Sequence, residues 1–430
     1  MHASMRMLPL LLLACTAPGG VGPGTDDPAP DTATDPDTDT GEGPDTAAPV
    51  VTEESAGGLD PDMLADALFT LDTIHEVELR IPAESEAALD ASPYEWAMAS
   101  VTIDGDQLRR VGVRLRGKIG SFRTLAGKPK FKISFGEFVP DQRFYGLEEL
   151  SLNSAVVDCS YMKEVIGYRL YDLAGLPTLR TSYARVTVNG EPYGLYVLLE
   201  TPSDKWLDRN YEQPEGNLYD GKYVWYGGGS YTLLDFAQGV DTLFQLEEGV
   251  DVGHADIAAV SNTLAANAGQ PTYYAAMGDL LDWEHYHRYT AVDQFLGHND
   301  GYSMNTNNYR VYFDPADGKA DLLPWDLDYT FLYDYEWGLS WGAAQGNITA
   351  ACFADAACFT RHKQVMATFL DTWDAEAWDP WLDQIETLTY AATQLDPRRE
   401  CAAASVQPTR DYLRSWLGYK SAELRGWYGL

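Results

Sequence analysis

The sequence predicts an α+β protein whose first half is rich in sheet and whose second half is mainly helical. Short alternating segments with hairpin turns fill residues 75–200, and apolar residues at helical spacing dominate residues 360–430. The chain has 430 residues, 45% of them hydrophobic and 12% aromatic, which is enough for a large core and excludes disorder throughout. Its length favours two lobes. We place a sheet-rich N-lobe at residues 61–203 and a helical C-lobe at residues 204–430.

The chain is strongly acidic. It contains 65 Asp and Glu against 30 Lys and Arg, a formal net charge of −35. A field of this sign repels phosphate backbones, so the charge argues against a nucleic-acid partner. Residues 16–60 carry eleven of the acidic residues, no Lys or Arg and almost no large apolar residue, which predicts a disordered, extended tether. Asp35 to Gly41 is faintly similar to a calcium loop, but the glycine comes one place late and the bidentate glutamate is missing.

The first fifteen residues are expected to be an export signal. Their apolar run, Met7 to Ala14, is too short to span a bilayer. It ends in Leu12-Leu13-Ala14-Cys15, which resembles the lipobox of bacterial lipoproteins. That resemblance implies cleavage before Cys15 and lipid attachment to it, and hence an exported protein anchored to a membrane surface. The alternative is an ordinary secretory signal with a chance cysteine, which implies export as well.

An exported chain meets an oxidising compartment, where cysteines pair. Setting Cys15 aside, four cysteines remain, with three possible connectivities: Cys159, Cys352, Cys358 and Cys401. We expect Cys352 to pair with Cys358 across a short loop, which leaves Cys159 with Cys401. Zinc is the alternative, but no CxxC or histidine-spaced pair supports it. His285 and His287 are two apart on a predicted helix, so they face different sides and are expected to be ordinary rather than ligands.

Three local features organise the predicted N-lobe. Helical spacing from Met162 to Leu173 predicts a helix that Gly175 ends, with Glu164 in its first turns. Asn189-Gly190 predicts a hairpin turn between two alternating segments, the second of which ends at Glu200. The basic segment Gly117 to Ser121 reads equally as a loop that cradles phosphates or as a plain hairpin loop. Residues 205–300 are expected to be helical.

One segment carries the groups for chemistry. Asp300 lies in a loop rich in polar amides, Asn308 follows it by eight residues, and Asp326 follows it by 26, at the end of an apolar strand. Oxygen donors of this kind suit a Mg²⁺ that bridges two phosphates. A loop aspartate, then an asparagine, then an aspartate after a strand is the order used by protein kinases.

The chain resembles the CotH kinases, a family of atypical protein kinases similar to spore coat protein H. The resemblance covers about residues 75–425 and rests on six motifs: Arg114-Leu115-Arg116-Gly117, Lys130-Phe131-Lys132-Ile133, the hairpin from Val188 to Glu200, Asn217-Leu218-Tyr219, Asn307-Asn308-Tyr309 and Pro324-Trp325-Asp326. It implies a two-lobed protein-kinase-like fold. It also implies binding of ATP with Mg²⁺ or Mn²⁺, and phosphorylation of Ser or Thr hydroxyls in a secreted or surface protein.

The resemblance also implies roles for single residues. Lys132 matches the lysine that contacts the α- and β-phosphates, and Glu164 is its candidate partner on the helix. Arg116 and Ser121 border the phosphate loop, although Gly117 to Ser121 departs from the family's serine-rich run. Glu200 is expected near the adenine.

The remaining roles belong to the second lobe. Asp300 matches the catalytic aspartate, Asn308 and Asp326 match the metal ligands, and Asp328 is a second aspartate ligand. The alternative to a kinase is a non-catalytic surface or coat-assembly protein that uses the same fold, because exported proteins meet little ATP. A third hypothesis is transfer of AMP or another group.

Overall fold

The computed structural model describes residues 61–118, 120–221, 224–227, 230–232, 234–333 and 340–430. The described residues belong to one compact unit. The expected signal with Cys15 and the acidic segment 16–60 lie outside them, so these remain predictions, as does the division into an N-lobe at residues 61–203 and a C-lobe at residues 204–430. The α+β class is confirmed, because strands dominate the first half of the described chain and helices the second.

The sheet-rich part is a closed seven-stranded barrel with the strand order β1-β2-β3-β4-β5-β7-β6. Its strands are β1 (Ile74–Arg80), β2 (Ala97–Ile103), β3 (Asp106–Arg116), β4 (Lys130–Ser134), β5 (Glu149–Asn153), β6 (Thr181–Val188) and β7 (Glu191–Glu200). Neighbouring strands are antiparallel except β1 and β6, whose parallel pairing closes the barrel. The predicted hairpin is β6–β7, with Asn189 and Gly190 at positive φ in its turn. Alternating apolar side chains fill the barrel interior.

Twelve helices occur in the described ranges. They are α1 (Pro61–Leu68), α2 (Ala83–Ala91), α3 (Lys163–Leu173), α4 (Asp204–Asn210), α5 (Ala255–Asn267), α6 (Tyr273–Met277), α7 (Trp283–Leu296), α8 (Tyr302–Asn305), α9 (Asn347–Ala354), α10 (Ala356–Ala375), α11 (Trp378–Leu395) and α12 (Ala403–Tyr428). The predicted helix before Gly175 is α3. Across the described ranges, none of these helices has the length and apolar content to cross a bilayer.

The expectation that residues 205–300 are helical is wrong in part. After α4, four strands occur between residues 217 and 248: β8 (Asn217–Gly221), β9 (Val224–Gly227), β10 (Ser230–Thr232) and β11 (Phe244–Glu248). These strands are short and separated by glycines, so they lack the sustained alternation that identifies a strand. A later hairpin joins β12 (Tyr309–Asp314) to β13 (Lys319–Pro324) and completes a four-stranded sheet in the order β11-β8-β12-β13.

The predicted bond between Cys352 and Cys358 is confirmed, with an S–S distance of 2.04 Å. It joins the last turns of α9 to the first turn of α10. The expected bond between Cys159 and Cys401 is not formed: the two are neighbouring free thiols, each partly exposed.

A buried ion pair connects the barrel to the C-terminal helices. Lys128, next to β4, contacts Asp396, just after α11, at 2.7 Å, and both side chains are almost fully buried. The same carboxylate accepts hydrogen bonds from the Tyr161 hydroxyl at 2.9 Å and the Leu195 N–H at 3.0 Å. Gly194 makes room for it, since a β-carbon there would lie 2.1 Å from the carboxylate oxygen. Burial lowers the pKa of Lys128 to about 8 although Asp396 raises it.

We expect Asp396→Ala to lower the free energy of unfolding by about 3–5 kcal/mol, because it leaves a buried ammonium without its counter-ion. Urea denaturation monitored by circular dichroism measures the change. The control is Asp379→Ala, which removes an exposed pair with Arg414 and should change stability by less than about 1 kcal/mol. Similar losses in both variants would contradict a special role for the buried pair.

Candidate active site

The β12–β13 hairpin sets the position of two of the predicted metal ligands. Tyr309 pairs with Pro324 at the open end of the hairpin, so Asn308 and Asp326 flank that end. The Trp325 N–H donates to the Asn308 carbonyl at 3.2 Å. Asn308 and Asp326 both have φ near +47°, a conformation that asparagine and aspartate tolerate better than most residues. The hairpin therefore holds both side chains close together.

Asp300 reaches the same point from the end of α7. That helix stops at Gly297, and the following loop turns back through His298, which is buried against Asp293. The Asp300 carboxylate accepts hydrogen bonds from the side-chain amides of Asn305, Asn307 and Asn308, at 2.7, 3.2 and 2.9 Å. Burial raises its pKa, and the Asn305 and Asn307 hydrogen bonds partly offset the rise.

A single amide connects Asp300 to Asp326. The Nδ2 of Asn308 donates to Oδ2 of Asp300 at 2.9 Å and to the backbone carbonyl of Asp326 at 3.2 Å. Because this nitrogen serves both neighbours, the amide oxygen of Asn308 is the atom left for a ligand. Three residues distant in sequence therefore form one constellation.

Lys130, at the start of β4, is the amine of this site. Its Nζ lies 2.9 Å from Oδ1 of Asp326 and 2.6 Å from Oδ2 of Asp328. Its side chain is 1% exposed. Burial alone would lower its pKa, but the two aspartates raise it, so the ammonium stays charged.

The acidic groups around Lys130 outnumber it. Glu164, on α3, is fully buried near Asp326 and Lys130, and neither carboxylate oxygen has a hydrogen-bond partner among the described residues. Burial and Asp326 raise its pKa well above the ordinary value. They also raise the pKa of Asp328, to about 6. Burial also acts to raise the pKa of Asp326. The opposite effect of Lys130 and Arg116 is larger, so the pKa of Asp326 lies below its ordinary value and the side chain is ionised at neutral pH.

These residues fit a divalent cation. The carboxylates of Asp326, Asp328 and Glu164 face one ammonium, and Asn308 adds an amide oxygen. Mg²⁺ and Mn²⁺ bind oxygen donors of this type, and a bound cation would favour the ionised form of the Glu164 carboxyl group. The carboxyl group of Glu164, buried without a hydrogen-bond partner in the described part of the chain, is the observation that favours this fit.

The structure does not bring Lys132 to the aspartates. Lys132 follows Lys130 on β4, and its Nζ lies 2.6 Å from Oε2 of Glu149 on the neighbouring strand β5. Burial lowers its pKa, although Glu149 raises it. Lys130 and Lys132 are two residues apart and share one face of the strand, so alternation alone does not tell them apart.

The described residues of the predicted phosphate loop, Gly117, Lys118, Gly120 and Ser121, approach this constellation at Tyr329. Gly117 and Gly120 have positive φ, and a β-carbon on Gly117 would lie 3.0 Å from Ser121. A β-carbon on Gly120 would lie 2.7 Å from the hydroxyl of Tyr329, which directly follows Asp328. Both positions therefore favour glycine: Gly117 because Ser121 lies close to it, and Gly120 because Tyr329 does.

Two guanidinium groups lie over the ring of Trp325. Those of Arg116 and Arg310 are 4.6 and 4.3 Å from the ring centre. Arg116 also donates to the Ser151 hydroxyl at 3.2 Å, and Arg310 pairs with Asp220 at 3.3 Å. Arg310 was not predicted from the sequence, because it directly follows the Asn307-Asn308-Tyr309 motif and has no spacing signal of its own.

Glu200 does not contact the group around Asp326. It is buried at the end of β7, where it pairs with Arg180 at 2.6 Å and with Arg209. Its contacts are therefore to these two arginines and not to the group around Asp326. Its expected position near an adenine stays a prediction.

Comparison with known proteins agrees with this geometry. The profile of a family described as "CotH kinase protein" matches residues 113–376, which is more than half of the chain and includes every residue from Lys130 to Asp328. The chain is also 23% identical to the inner spore coat protein H of Bacillus subtilis (strain 168) over 215 residues, 48% of this chain and 56% of that protein. It thus spans little more than half the length of this curated relative. By the extent of the profile match, the chain belongs to the CotH kinase protein family.

Proposed function

We propose that the protein is an ATP- and Mg²⁺-dependent kinase that phosphorylates Ser or Thr hydroxyls of a surface or secreted protein. The observation that carries the proposal is the convergence of Asp300, Asn308 and Asp326 beside the buried ammonium of Lys130. Membership of a family named for kinase activity supports it. The proposal includes a two-lobed kinase-like arrangement, with the barrel and α3 in the N-lobe.

The protein's own groups have separate tasks. ATP supplies the phosphoryl group, and Mg²⁺ neutralises the charge of its phosphates when bound. Asp326, Asp328 and the amide oxygen of Asn308 would hold the metal. Lys130, with Arg116 beside it, would contact the phosphate oxygens. We assign this contact to Lys130 instead of Lys132 because Lys130 lies against the proposed metal ligands, whereas Lys132 is paired with Glu149.

Asp300 would orient the acceptor hydroxyl. An ionised carboxylate has about four lone-pair sites, and the amides of Asn305, Asn307 and Asn308 use three. One site is left to accept the proton of a Ser or Thr hydroxyl. Because the amides hold the carboxylate in place, the acceptor oxygen would meet it without reorganisation.

The location of the protein is also part of the proposal. The lipobox-like run before Cys15 supports export and a lipid anchor, and the acidic segment 16–60 would then be the tether. The name of the spore coat relative is consistent with a coat or surface setting.

The test is intact-mass spectrometry of the full chain, with Cys15→Ser to prevent lipidation, after incubation with ATP and Mg²⁺ and a hydroxyl-bearing acceptor protein. A gain of one phosphoryl group on the acceptor or on the chain itself is the expected result. A gain of one adenylyl group would instead indicate AMP transfer. If the protein binds ATP·Mg²⁺ but shows neither mass gain, the proposal that this site is catalytic is overturned.

A second function is non-catalytic coat or surface assembly. Two observations favour it: the relative is named as a coat protein, and Lys130 occupies both aspartates proposed to bind the metal. This function predicts no transfer and no rise in melting temperature with ATP·Mg²⁺, whereas a nucleotide-binding kinase melts at higher temperature with it.

A further inference from the structure

A second cluster of metal-ligating side chains lies away from the site of Asp326. It consists of His287 on α7 and of Cys352 and Cys358 on α9 and α10. One ligand atom from each of the three lies within 4.8 Å of the other two, and all three residues are buried. In the structure the two cysteines are joined as a disulfide.

The histidine of this cluster is without a hydrogen bond. His287 is 0% exposed, and neither ring nitrogen has a hydrogen-bond partner in the described part of the chain. By contrast, both ring nitrogens of His285, two residues earlier on the same helix, have polar partners: Nε2 lies 2.7 Å from the Leu322 carbonyl and Nδ1 lies 3.3 Å from Oδ2 of Asp321. A buried imidazole with no partner is costly and needs a reason.

The ring of His287 is also held in place and uncharged. It stacks on Trp283 with the ring centres 5.4 Å apart. Burial lowers its pKa to about 4, so the ring is neutral at pH 7, which is the form that binds metals. A second buried imidazole, His362, is four residues after Cys358 on α10, and its ring centre is 5.6 Å from that of His287. Its Nδ1 is likewise without a partner among the described residues.

We propose that in the reduced chain Cys352, Cys358 and His287 bind a zinc ion, with His362 or water as the fourth ligand. Two thiolates and one or two imidazoles are a donor set of structural zinc sites. With zinc bonds of about 2.3 Å to sulfur and 2.0 Å to nitrogen, tetrahedral ligands lie roughly 3.3–3.8 Å apart. Opening the disulfide moves the two sulfurs toward that separation, and His287 is already close to both.

The disulfide and the zinc ion are alternative occupants of one junction between α7, α9 and α10. A chain made under reducing conditions holds two thiols, each of which releases a proton when zinc binds its sulfur. In the bonded chain, exchange with a partner dithiol reduces Cys352 and Cys358 to thiols while the partner's thiols become a disulfide, so electrons and protons balance. The disulfide joins α9 to α10 only, whereas zinc would also bind His287 on α7, the helix whose C-terminal end leads to Asp300.

The test uses the full chain with Cys15, Cys159 and Cys401 replaced by serine, so that Cys352 and Cys358 are its only cysteines. The protein is made and kept under a phosphine reductant and titrated with Co²⁺ as a probe for zinc. We expect thiolate charge-transfer absorption that saturates at one thiolate-bound Co²⁺ per reduced chain, and no such absorption in the oxidised chain, whatever Co²⁺ binds at the oxygen donors around Asp326. His287→Gln should weaken binding by about 100-fold or more. The matched control His254→Gln removes a histidine whose ring contacts the Phe244 carbonyl and should not change binding.

Circular dichroism of the oxidised His287→Gln protein checks that it folds. A second measurement needs no histidine variant: bound zinc should protect both cysteines of the reduced chain from alkylation until a chelator is added. A reduced chain without thiolate–Co²⁺ absorption, absorption that is equally strong in the His287→Gln protein, or alkylation that zinc does not slow would each overturn the proposal.

Discussion

Asp326→Asn should reduce phosphate transfer by about 10²–10³-fold while leaving the fold intact. The side chain is ionised at neutral pH, because Lys130 and Arg116 lower its pKa below the value that burial alone would produce. Asparagine keeps the size and one oxygen but removes the charge that would hold Mg²⁺. It also tolerates the positive φ of this position, 47°, so the backbone should not move.

The metal dependence of the residual activity makes the result specific. If Asp326 is a metal ligand, the Mg²⁺ concentration that gives half-maximal rate should rise in the variant. A purely structural role would lower the rate without shifting that concentration. Initial rates of phosphate incorporation over a Mg²⁺ titration measure both quantities, and thermal melting checks the fold.

Asp321→Asn is the matched control. Asp321 is also buried on the β12–β13 hairpin, but it faces His285 and the Tyr211 hydroxyl instead of Lys130. The same chemical change there should alter the rate by less than about twofold. An Asp326→Asn protein as active as the wild type would exclude Asp326 from the reaction. An inactive wild type that binds no nucleotide would favour the assembly function.

The fold was predictable where the signal is local. Alternation and Asn189-Gly190 predicted the β6–β7 hairpin, and helical spacing predicted α3, because each depends on residues that are neighbours in sequence. The closure of the barrel was not predictable in the same way. It depends on parallel pairing of β1 with β6, such as Val77 opposite Val186, and no local pattern encodes a contact over that separation.

The candidate site was likewise predictable only in the part that depends on local sequence. The order of Asp300, Asn308 and Asp326 is visible in the sequence, and the structure brings the three together. Which of the two lysines lies beside Asp326 was not predictable, because Lys130 and Lys132 share one face of β4. They differ only in their contacts: Lys130 pairs with Asp326 and Lys132 with Glu149. The partnerless state of Glu164 is equally hidden, since it depends on which groups surround a helix face in three dimensions.

Lys130→Met should destabilise the protein strongly and in a pH-dependent way. The change leaves Asp326, Asp328 and Glu164 buried without their ammonium, and loss of one member of a buried ion pair lowers the free energy of unfolding by about 3–5 kcal/mol. Lys132→Met should cost less, about 1–2 kcal/mol, because Lys132 faces a single carboxylate, Glu149, that keeps contact with solvent. Urea denaturation of both variants at several pH values measures the difference.

The pH dependence follows from the carboxyl groups. Burial and Asp326 raise the pKa of Asp328 to about 6 and that of Glu164 well above its ordinary value. A carboxyl whose pKa is higher in the folded state than in the unfolded state lowers stability as the pH rises from about 4 to beyond the folded value. Without Lys130 these pKa values rise further. The difference in free energy of unfolding between wild type and Lys130→Met should therefore be small near pH 4 and grow through pH 6 and above.

Nucleotide binding then separates the two lysines by role. At pH 6, where part of the penalty is relieved, the rise in melting temperature with ATP·Mg²⁺ should be lost in Lys130→Met and kept in Lys132→Met if Lys130 contacts the phosphates. The reverse pattern would restore Lys132 to that role and leave Lys130 as the counter-ion of the aspartates. A stability gap that does not change with pH would show that the three carboxyl groups are not what Lys130 balances. In that case the charges of these carboxyl groups would no longer support a divalent cation at Asp326.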